Sequence, residues 1–222
     1  MKIDYEKYID HEKLLPDTGS NIIGQYDDDS IIVYQAFNHQ IADFAIVNQT
    51  FGGNSFSFNR MTWIKPNFLW MMYRAGWASK ENQERILAIK IKQSGFIEIL
   101  KEAVHSTFKP DIYKTHENWK QALANSNVRL QWDPEHDPYG DKKERKAIQL
   151  GLKGSTLKKY CSEWILEIHD VTDFAKNEKA KLDTSGLTDL TVPVEKIFNE
   201  LSEELVVKLG IRGHNQVDGC EP

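Results

Sequence analysis

The sequence predicts an α+β domain with a central, mainly antiparallel sheet of about six strands flanked by short helices. Short β-branched and aromatic runs alternate with short stretches of helical periodicity. These segments lack the regular strand–helix alternation of a doubly wound parallel fold. The chain has 222 residues, 40% of them hydrophobic, so it is long enough to bury a core without disulfides or a structural metal.

Six segments have the composition and length of strands. The first, IIVYQAF, is an apolar run bounded by polar residues, and the others combine β-branched or aromatic residues with partial alternation. They are residues 31–37, 55–64, 85–92, 128–133, 147–152 and 163–170.

Capping signals predict the helices between these strands. Asn38 begins a helix over residues 39–49, and Thr115 begins one over 116–125. Pro66 and Gly76 bound a short helix that is apolar on most of its circumference, which predicts burial of Phe68, Trp70 and Met71. Residues 95–104 and 155–162 are also expected to be helical.

The strongest amphipathic pattern spans residues 193–209. It opens at Pro193 and ends at Gly210, with apolar residues at helical spacing and acidic residues on the other side. The pattern predicts an amphipathic C-terminal helix that packs on its own domain or on a partner.

Composition divides the chain into three parts. Residues 1–30 hold three lysines and eight acidic residues, which account for the whole formal net charge of -5. They are expected to form an acidic N-terminal lead-in before a single domain over 31–210, and 211–222 are expected to form a flexible tail. Residues 176–186 are polar and resemble a linker.

Several classes of function are disfavoured by what the sequence lacks. The balanced charge of the remaining chain argues against a general polyanion-binding surface. No nucleotide-binding glycine motif, metalloprotease motif or kinase set is present. Cys161 and Cys220 have no zinc-like spacing, so no structural metal is expected and Cys161 is expected to be a small, half-buried apolar residue. The charged N-terminus and the absence of a long apolar run predict a cytoplasmic protein with no membrane contact.

The first candidate site lies in the stretch RMTWIKPNFLWMMYRAGW. Arg60, Trp63 and Lys65 come just before a helix N-terminus, where free N–H groups favour an anion. Cations and a stackable indole at such a position predict a site for a nucleotide or another phosphate-bearing ligand. The alternative is that the aromatic block only fills the core.

A second candidate is the loop QWDPEHDPYGD. Carboxylates flank His136 there, which predicts a raised pKa and a role as a general acid or base. The alternative is a polar hairpin loop. The following segment carries Arg145 and Gln149, which are predicted to contact a ligand; the alternative is a solvated strand edge.

Three stretches together resemble a known family. They are IIVYQAFN, RMTWIKPNFLWMMYRAGW, and the pair QWDPEHDPYG and ERKAIQLGLKG. They are similar to the family called domain of unknown function 4291, found in bacteria and fungi, over roughly residues 31–170. The resemblance implies a single-domain protein near this size and carries no activity.

A looser similarity, at the level of fold, is to ADP-ribosyltransferases, which hold NAD. It would place Tyr34 or Arg60 early and Glu144 or Glu163 late in a catalytic set, and it makes NAD a candidate cofactor. The sequence thus favours a nucleotide- or nucleic-acid-handling transferase with His136 or Glu144 in catalysis. The alternative is a non-catalytic module that binds RNA or protein.

Overall fold

The computed structural model describes residues 1–211, which form eleven strands, nine α-helices, a π-helical turn (Tyr160–Trp164) and a 3₁₀ turn (Gly186–Thr188). The strands are β1 (Tyr5–Lys7), β2 (Ile23–Gly24), β3 (Ser30–Phe37), β4 (Thr62–Ile64), β5 (Arg85–Lys92), β6 (Ala103–His105), β7 (Val128–His136), β8 (Lys142–Leu152), β9 (Ile165–Asp170), β10 (Thr191–Pro193) and β11 (Lys196–Ile197). The helices are α1 (Tyr8–Glu12), α2 (His39–Asn48), α3 (Phe68–Ala75), α4 (Gln93–Glu102), α5 (Pro110–Tyr113), α6 (His116–Asn125), α7 (Gly154–Lys159), α8 (Thr172–Ser185) and α9 (Glu203–Leu209).

Two main sheets share the centre of the molecule. One has three antiparallel strands in the order β3-β5-β9, and the other has four in the order β4-β8-β7-β6. In the second sheet only the short β6 runs parallel to its neighbour, β7. The prediction of a mainly antiparallel α+β fold is confirmed, whereas the expected single six-stranded sheet is wrong.

One backbone residue pair joins the two sheets within residues 1–211. Tyr34 of β3 pairs with Lys65, just beyond β4, through N–H···O=C bonds of 2.7 and 3.2 Å. We call this pair the seam. It is the one backbone pair between β3 and the β4 segment in the described chain, and a side-chain hydrogen bond from Gln35 to Thr62 lies beside it.

The core lies on both faces of β3 and β5. On one face, Val33 and Ile89 pack with apolar residues of the second sheet and of α4. On the other, Tyr34 and Ala88 pack with α3 and α8. This two-sided burial explains why the strands are almost continuously apolar.

Local signals place several helix ends correctly. The side chains of Asn38 and Thr115 accept hydrogen bonds from the backbone N–H groups of Ile41 and Asn118, as N-caps do. Gly76 ends α3 in the left-handed conformation, with φ of 57°, which favours glycine. The predicted burial of Phe68, Trp70 and Met71 is also confirmed.

The prediction that residues 1–30 form a loosely held acidic lead-in is wrong. Strand β1 pairs with β10, and β2 pairs with β11, so the N-terminal segment forms two small sheets with the end of the domain. Its apolar residues Tyr8, Ile22 and Ile23 are buried.

Two polar segments differ from their predictions. The expected strand over 55–64 is present only as β4, because Phe56 turns inward onto Phe51, 5.2 Å between ring centroids. The expected linker over 176–186 is mostly helix α8. Ala175, Glu178 and Leu182 form its buried stripe, and because the middle member is a carboxylate the amphipathic pattern is hidden.

The prediction of an amphipathic helix over residues 193–209 is wrong for residues 193–202. These form β10, β11 and a connection, and only α9 is helical. The apolar spacing misled because Phe198 is buried like Leu205 and Leu209, but it lies in the connection after β11 and they lie in α9. Apart from residue 211, the tail predicted at 211–222 lies outside the described residues. Among the helices of residues 1–211, none is both long and apolar enough to cross a membrane.

Candidate ligand-binding site

A cavity of about 580 Å³ opens beside the seam. It is bounded by β3, the segment leading into β4, helix α3, and strands β7 and β8. Its lining residues are Gln35, Ala36, Phe37, Arg60, Met61, Thr62, Trp63, Lys65, Met71, Arg74, Gln83, Gln131 and Gln149. We call it the seam cavity.

Strand register explains why these side chains meet. Trp63 lies opposite Gly151, and Ile64 opposite Leu150, so continuing the pairing by one residue brings Lys65 beside Gln149. Side chains alternate along a strand. Ile64 and Leu150 therefore face the core while Trp63, Lys65 and Gln149 share the opposite face.

Gly151 allows Trp63 to lie close to the sheet. A Cβ atom at Gly151 would lie 3.0 Å from the Trp63 ring and 2.5 Å from Sδ of Met61. The absence of a side chain thus lets the indole cover β8 at the wall of the cavity.

Amides at the base of the cavity are fixed by hydrogen bonds. Gln149 donates from Nε2 to Oε1 of Gln131 at 2.8 Å and to Oδ2 of Asp133 at 2.7 Å. Gln35 donates to Oγ1 of Thr62 at 2.7 Å and accepts from the hydroxyl of Tyr160 at 2.9 Å. Fixed amides of this kind give a cavity oriented polar groups at little entropic cost.

Lys65 is the one lysine that lines the seam cavity in the described chain. Its side chain is only 5% exposed. Burial, aided by the positive charge of Arg74, lowers the pKa of Lys65 to about 7, against an opposing effect of Asp133. No hydrogen bond or ion pair within residues 1–211 involves its amine.

Two arginines lie at the mouth of the cavity. Arg60 and Arg74 are both exposed, and Arg74 lies over the ring of Trp70 with 6.0 Å to the centroid. With Lys65 they make three cationic residues in a lining that includes no acidic residue of the described chain. The seam cavity therefore favours an anionic ligand.

A second cavity of about 440 Å³ adjoins the first. The two share Phe37, Arg60, Met61 and Thr62, and the second extends toward α2. Arg60 is its one charged lining residue among those described. The shared wall makes the pair of cavities a two-part cleft with Arg60 at its centre.

The N-terminus of α3, predicted to receive a ligand anion, already holds a carboxylate of the chain itself. Glu195 accepts hydrogen bonds from the backbone N–H of Phe68 at 2.7 Å and from Nδ2 of Asn67 at 2.9 Å. Burial raises the pKa of Glu195 well above its usual value. Anion binding in the cavity must therefore come from side chains, since this helix end is occupied.

The sequence model of the family described as Domain of unknown function (DUF4291) matches residues 21–198. The chain belongs to this family. The match extends beyond the 31–170 region in which the resemblance was noted and includes every lining residue of the seam cavity. No curated protein matches the sequence.

In this DUF4291 protein, four of the predicted ligand-binding residues lie together. Arg60, Trp63, Lys65 and Gln149 all line the seam cavity. Tyr34 contributes its backbone to the seam, but its ring is fully buried against Phe68, 5.4 Å between centroids, and does not line the cavity.

Arg145 lies elsewhere. It is 1% exposed, and its guanidinium donates to carboxylate oxygens of Glu12 at 2.7 and 2.8 Å and of Glu135 at 2.5 Å. This arrangement ties α1 to the second sheet, so Arg145 is not among the groups that a ligand in the seam cavity would meet.

The two predicted catalytic residues also lie outside the cavity. His136 is buried and stacks on Tyr73, 3.5 Å between ring centroids, with Trp70 beyond it. Burial lowers the pKa of His136, so the predicted rise is wrong. Glu144 is exposed on β8.

Three further cavity residues were not predicted from the sequence. Arg74, Gln35 and Gln131 line the cavity; each lies in a stretch that the sequence singled out, but none was predicted to contact a ligand. One signal was available for Gln131, because its register opposite Gln149 follows from a β7–β8 hairpin. Within residues 1–211, no three His, Cys, Asp or Glu side chains are grouped so as to hold a metal ion.

Cys161, by contrast, lies in the core with its predicted apolar character. Burial raises its pKa to about 12, which makes the thiol a poor nucleophile.

Proposed function

We propose that the seam cavity binds a phosphate-bearing ligand of nucleotide size and that the protein is a transferase acting on it. The observation that carries the proposal is the lining charge, with Arg60 and Arg74 at an open mouth above buried amides. Arginine forks match the geometry of phosphate oxygens.

Size and the aromatic wall support the same ligand class. The volume of about 580 Å³ lies within the range of roughly 300–1,000 Å³ typical of small-molecule sites. Trp63 offers an indole face for a base, and the fixed amides of Gln35 and Gln149 offer hydrogen-bonding groups. A nucleotide has parts that suit each of these features.

The adjoining cavity supports transfer between two bound molecules. A donor in the seam cavity and an acceptor in the second cavity would meet at the shared wall, where Arg60 lies. An arginine there would stabilise negative charge on a transferred group.

A ligand screen by thermal shift tests the proposal. AMP, ADP, ATP, NAD, inorganic phosphate and short RNAs are added to the full chain, followed by calorimetry of any hit. We expect a phosphate-bearing compound to raise Tm, and Arg60→Gln and Arg74→Gln each to weaken its binding by about tenfold or more, equivalent to ~1.4 kcal/mol or more.

Lys158→Gln is the matched control, because Lys158 is an exposed cation on α7, outside the cavity. It should bind like the wild type. No stabilisation by any phosphate compound, or equal loss in all three variants, would contradict the proposal.

An extended ligand such as RNA can be used to distinguish the proposed transferase from the alternative, an RNA-binding module. The two-part cleft would also accommodate consecutive nucleotides on either side of Arg60. Mass spectrometry of ligand mixtures after incubation shows whether a group has moved. Binding of RNA without any product would favour the module.

A further inference from the structure

We propose that Lys65 is a nucleophile, and that its amine forms a Schiff base with the carbonyl carbon of an anionic aldehyde or ketone bound in the seam cavity. The inference rests on the proposed function for the anion site. The reactivity of the Lys65 amine does not depend on the proposed function.

The environment of Lys65 differs from that of a structural lysine. Most lysines keep their ammonium in water or in an ion pair, even when the stem is buried. Lys65 is 5% exposed, and no hydrogen bond or ion pair of the described residues involves its amine. The amine therefore faces the seam cavity without a partner among the described residues, and titratable groups of this kind concentrate at functional sites.

The charges that face Lys65 disfavour its ammonium form. Arg74 on α3 is positive, Arg60 lines the same cavity, and Asp133 on β7 is the one nearby carboxylate. Asp133 already accepts a hydrogen bond from Gln149. Desolvation and a neighbouring cation are the two means by which amine nucleophiles are activated.

The consequence is a large neutral fraction. The pKa of about 7 means that near neutral pH about half of the amine carries a free lone pair. An ordinary lysine has fewer than roughly one neutral amine in a thousand at that pH. Lys65 can therefore attack a carbonyl without prior deprotonation by a separate base.

The arginines define the substrate class. A phosphate or carboxylate held by Arg60 and Arg74 at the mouth places the rest of a short molecule over the base of the cavity. The buried amides of Gln35 and Gln149 suit hydroxyl groups between the anion and the carbonyl. A small phosphorylated sugar in its open-chain form has this chemistry.

The step balances without a redox partner. The Lys65 nitrogen adds to the carbonyl carbon, and the carbonyl oxygen takes a proton from the nitrogen to give a carbinolamine. That oxygen then takes a second proton from solvent and leaves as water. The product is a protonated imine.

Reductive trapping of the full chain provides the first test. Substoichiometric pyridoxal 5′-phosphate, an aldehyde that carries a phosphate, is added near neutral pH and reduced with borohydride. Peptide mapping is expected to place the adduct on Lys65 at least about tenfold above exposed Lys158. Lys65→Met and Lys65→Arg should both lose it, the second while keeping a cation.

Labelling with formaldehyde and cyanoborohydride separates the two proposals, since formaldehyde carries no anion. Methylation of Lys65 with a pH midpoint near its pKa of about 7 supports the nucleophile. If Lys65 reacts preferentially with both aldehydes and the phosphate gives no advantage, the anion site fails while the nucleophile stands. If phosphate compounds stabilise the protein but Lys65 reacts no faster than Lys158 with either aldehyde, the nucleophile is overturned.

Discussion

Burial of the Lys65 amine makes the stability of the fold depend on pH. The folded-state pKa of about 7 lies below the usual lysine value of 10.5. Between these values the unfolded chain binds a proton that the folded chain does not, so stability rises with pH across this window. Below about pH 7 the cost of burying the amine is present in full.

The first prediction follows from this rise of stability with pH. Lys65→Met should be more stable than the wild type at pH 6, and the difference should shrink as pH rises from about 7 to 10. The slope of the difference is at most about 1.4 kcal/mol per pH unit. Urea unfolding at several pH values measures it.

Lys158→Met is the control for Lys65→Met, because Lys158 is exposed and has no comparable desolvation. Its stability difference from the wild type should be flat with pH. Parallel pH profiles for the wild type and Lys65→Met would show that the amine is protonated in the fold.

Residue identity and the alternation of side chains along a strand were enough to predict part of the site. Trp63 and Lys65 are two apart in a strand, so their shared face follows from sequence. The state of Lys65 does not, since it depends on Arg74, Asp133 and depth of burial. These are contacts across the fold.

At the scale of elements, α3 depends on a carboxylate from the far end of the domain. Glu195 is 127 residues from Phe68 and accepts its N–H. Glu195→Ala would leave that N–H and the Asn67 amide without partners inside the protein. We expect a loss of about 2–4 kcal/mol in the free energy of unfolding, since each buried unpaired group costs roughly 1–3 kcal/mol.

Glu200→Ala is the matched control, as Glu200 is exposed in the connection before α9. Chemical denaturation compares the two variants. Equal stability would mean that water replaces the Glu195 carboxylate at no cost.

Element boundaries show the limit of local reasoning. Asn38, Thr115 and Gly76 act within a few residues of themselves, and the helices they bound were predicted. The local sequence placed Glu195 on the acidic face of the predicted C-terminal helix. Its hydrogen bond with Asn67 joins residues far apart in the sequence, so a short stretch of sequence cannot reveal it.

At the scale of the whole molecule, Arg145 holds the N-terminal segment to the second sheet. It bridges Glu12 of α1 and Glu135 of β7, and Glu135 is 1% exposed. Arg145→Met removes the cation and leaves a buried carboxylate unpaired. We expect it to cost about 3–5 kcal/mol in urea unfolding.

The double variant Arg145→Met with Glu135→Leu tests the cause. Removing both charges should recover a large part of the loss, because an apolar pair replaces a broken ion pair. If the double variant is no more stable than the single one, the loss comes from the missing Glu12 contact or from packing.

The sequence predicted an α+β fold but not how its sheets divide. Strand segments such as 31–37 and 85–92 were recognisable from composition. Their partition into two sheets depends on which residues meet across long separations, as Tyr34 and Lys65 do. The two small sheets formed with residues 1–30 likewise required partners from the end of the domain.

The seam has a mechanical consequence. Two hydrogen bonds between Tyr34 and Lys65 couple the sheets there, and the same residue presents its amine to the cavity. Because Val33 and Ile89 also pack against the second sheet, a ligand that spans from Arg74 on α3 to Gln149 on β8 would bridge the two sheets without having to set the angle between them.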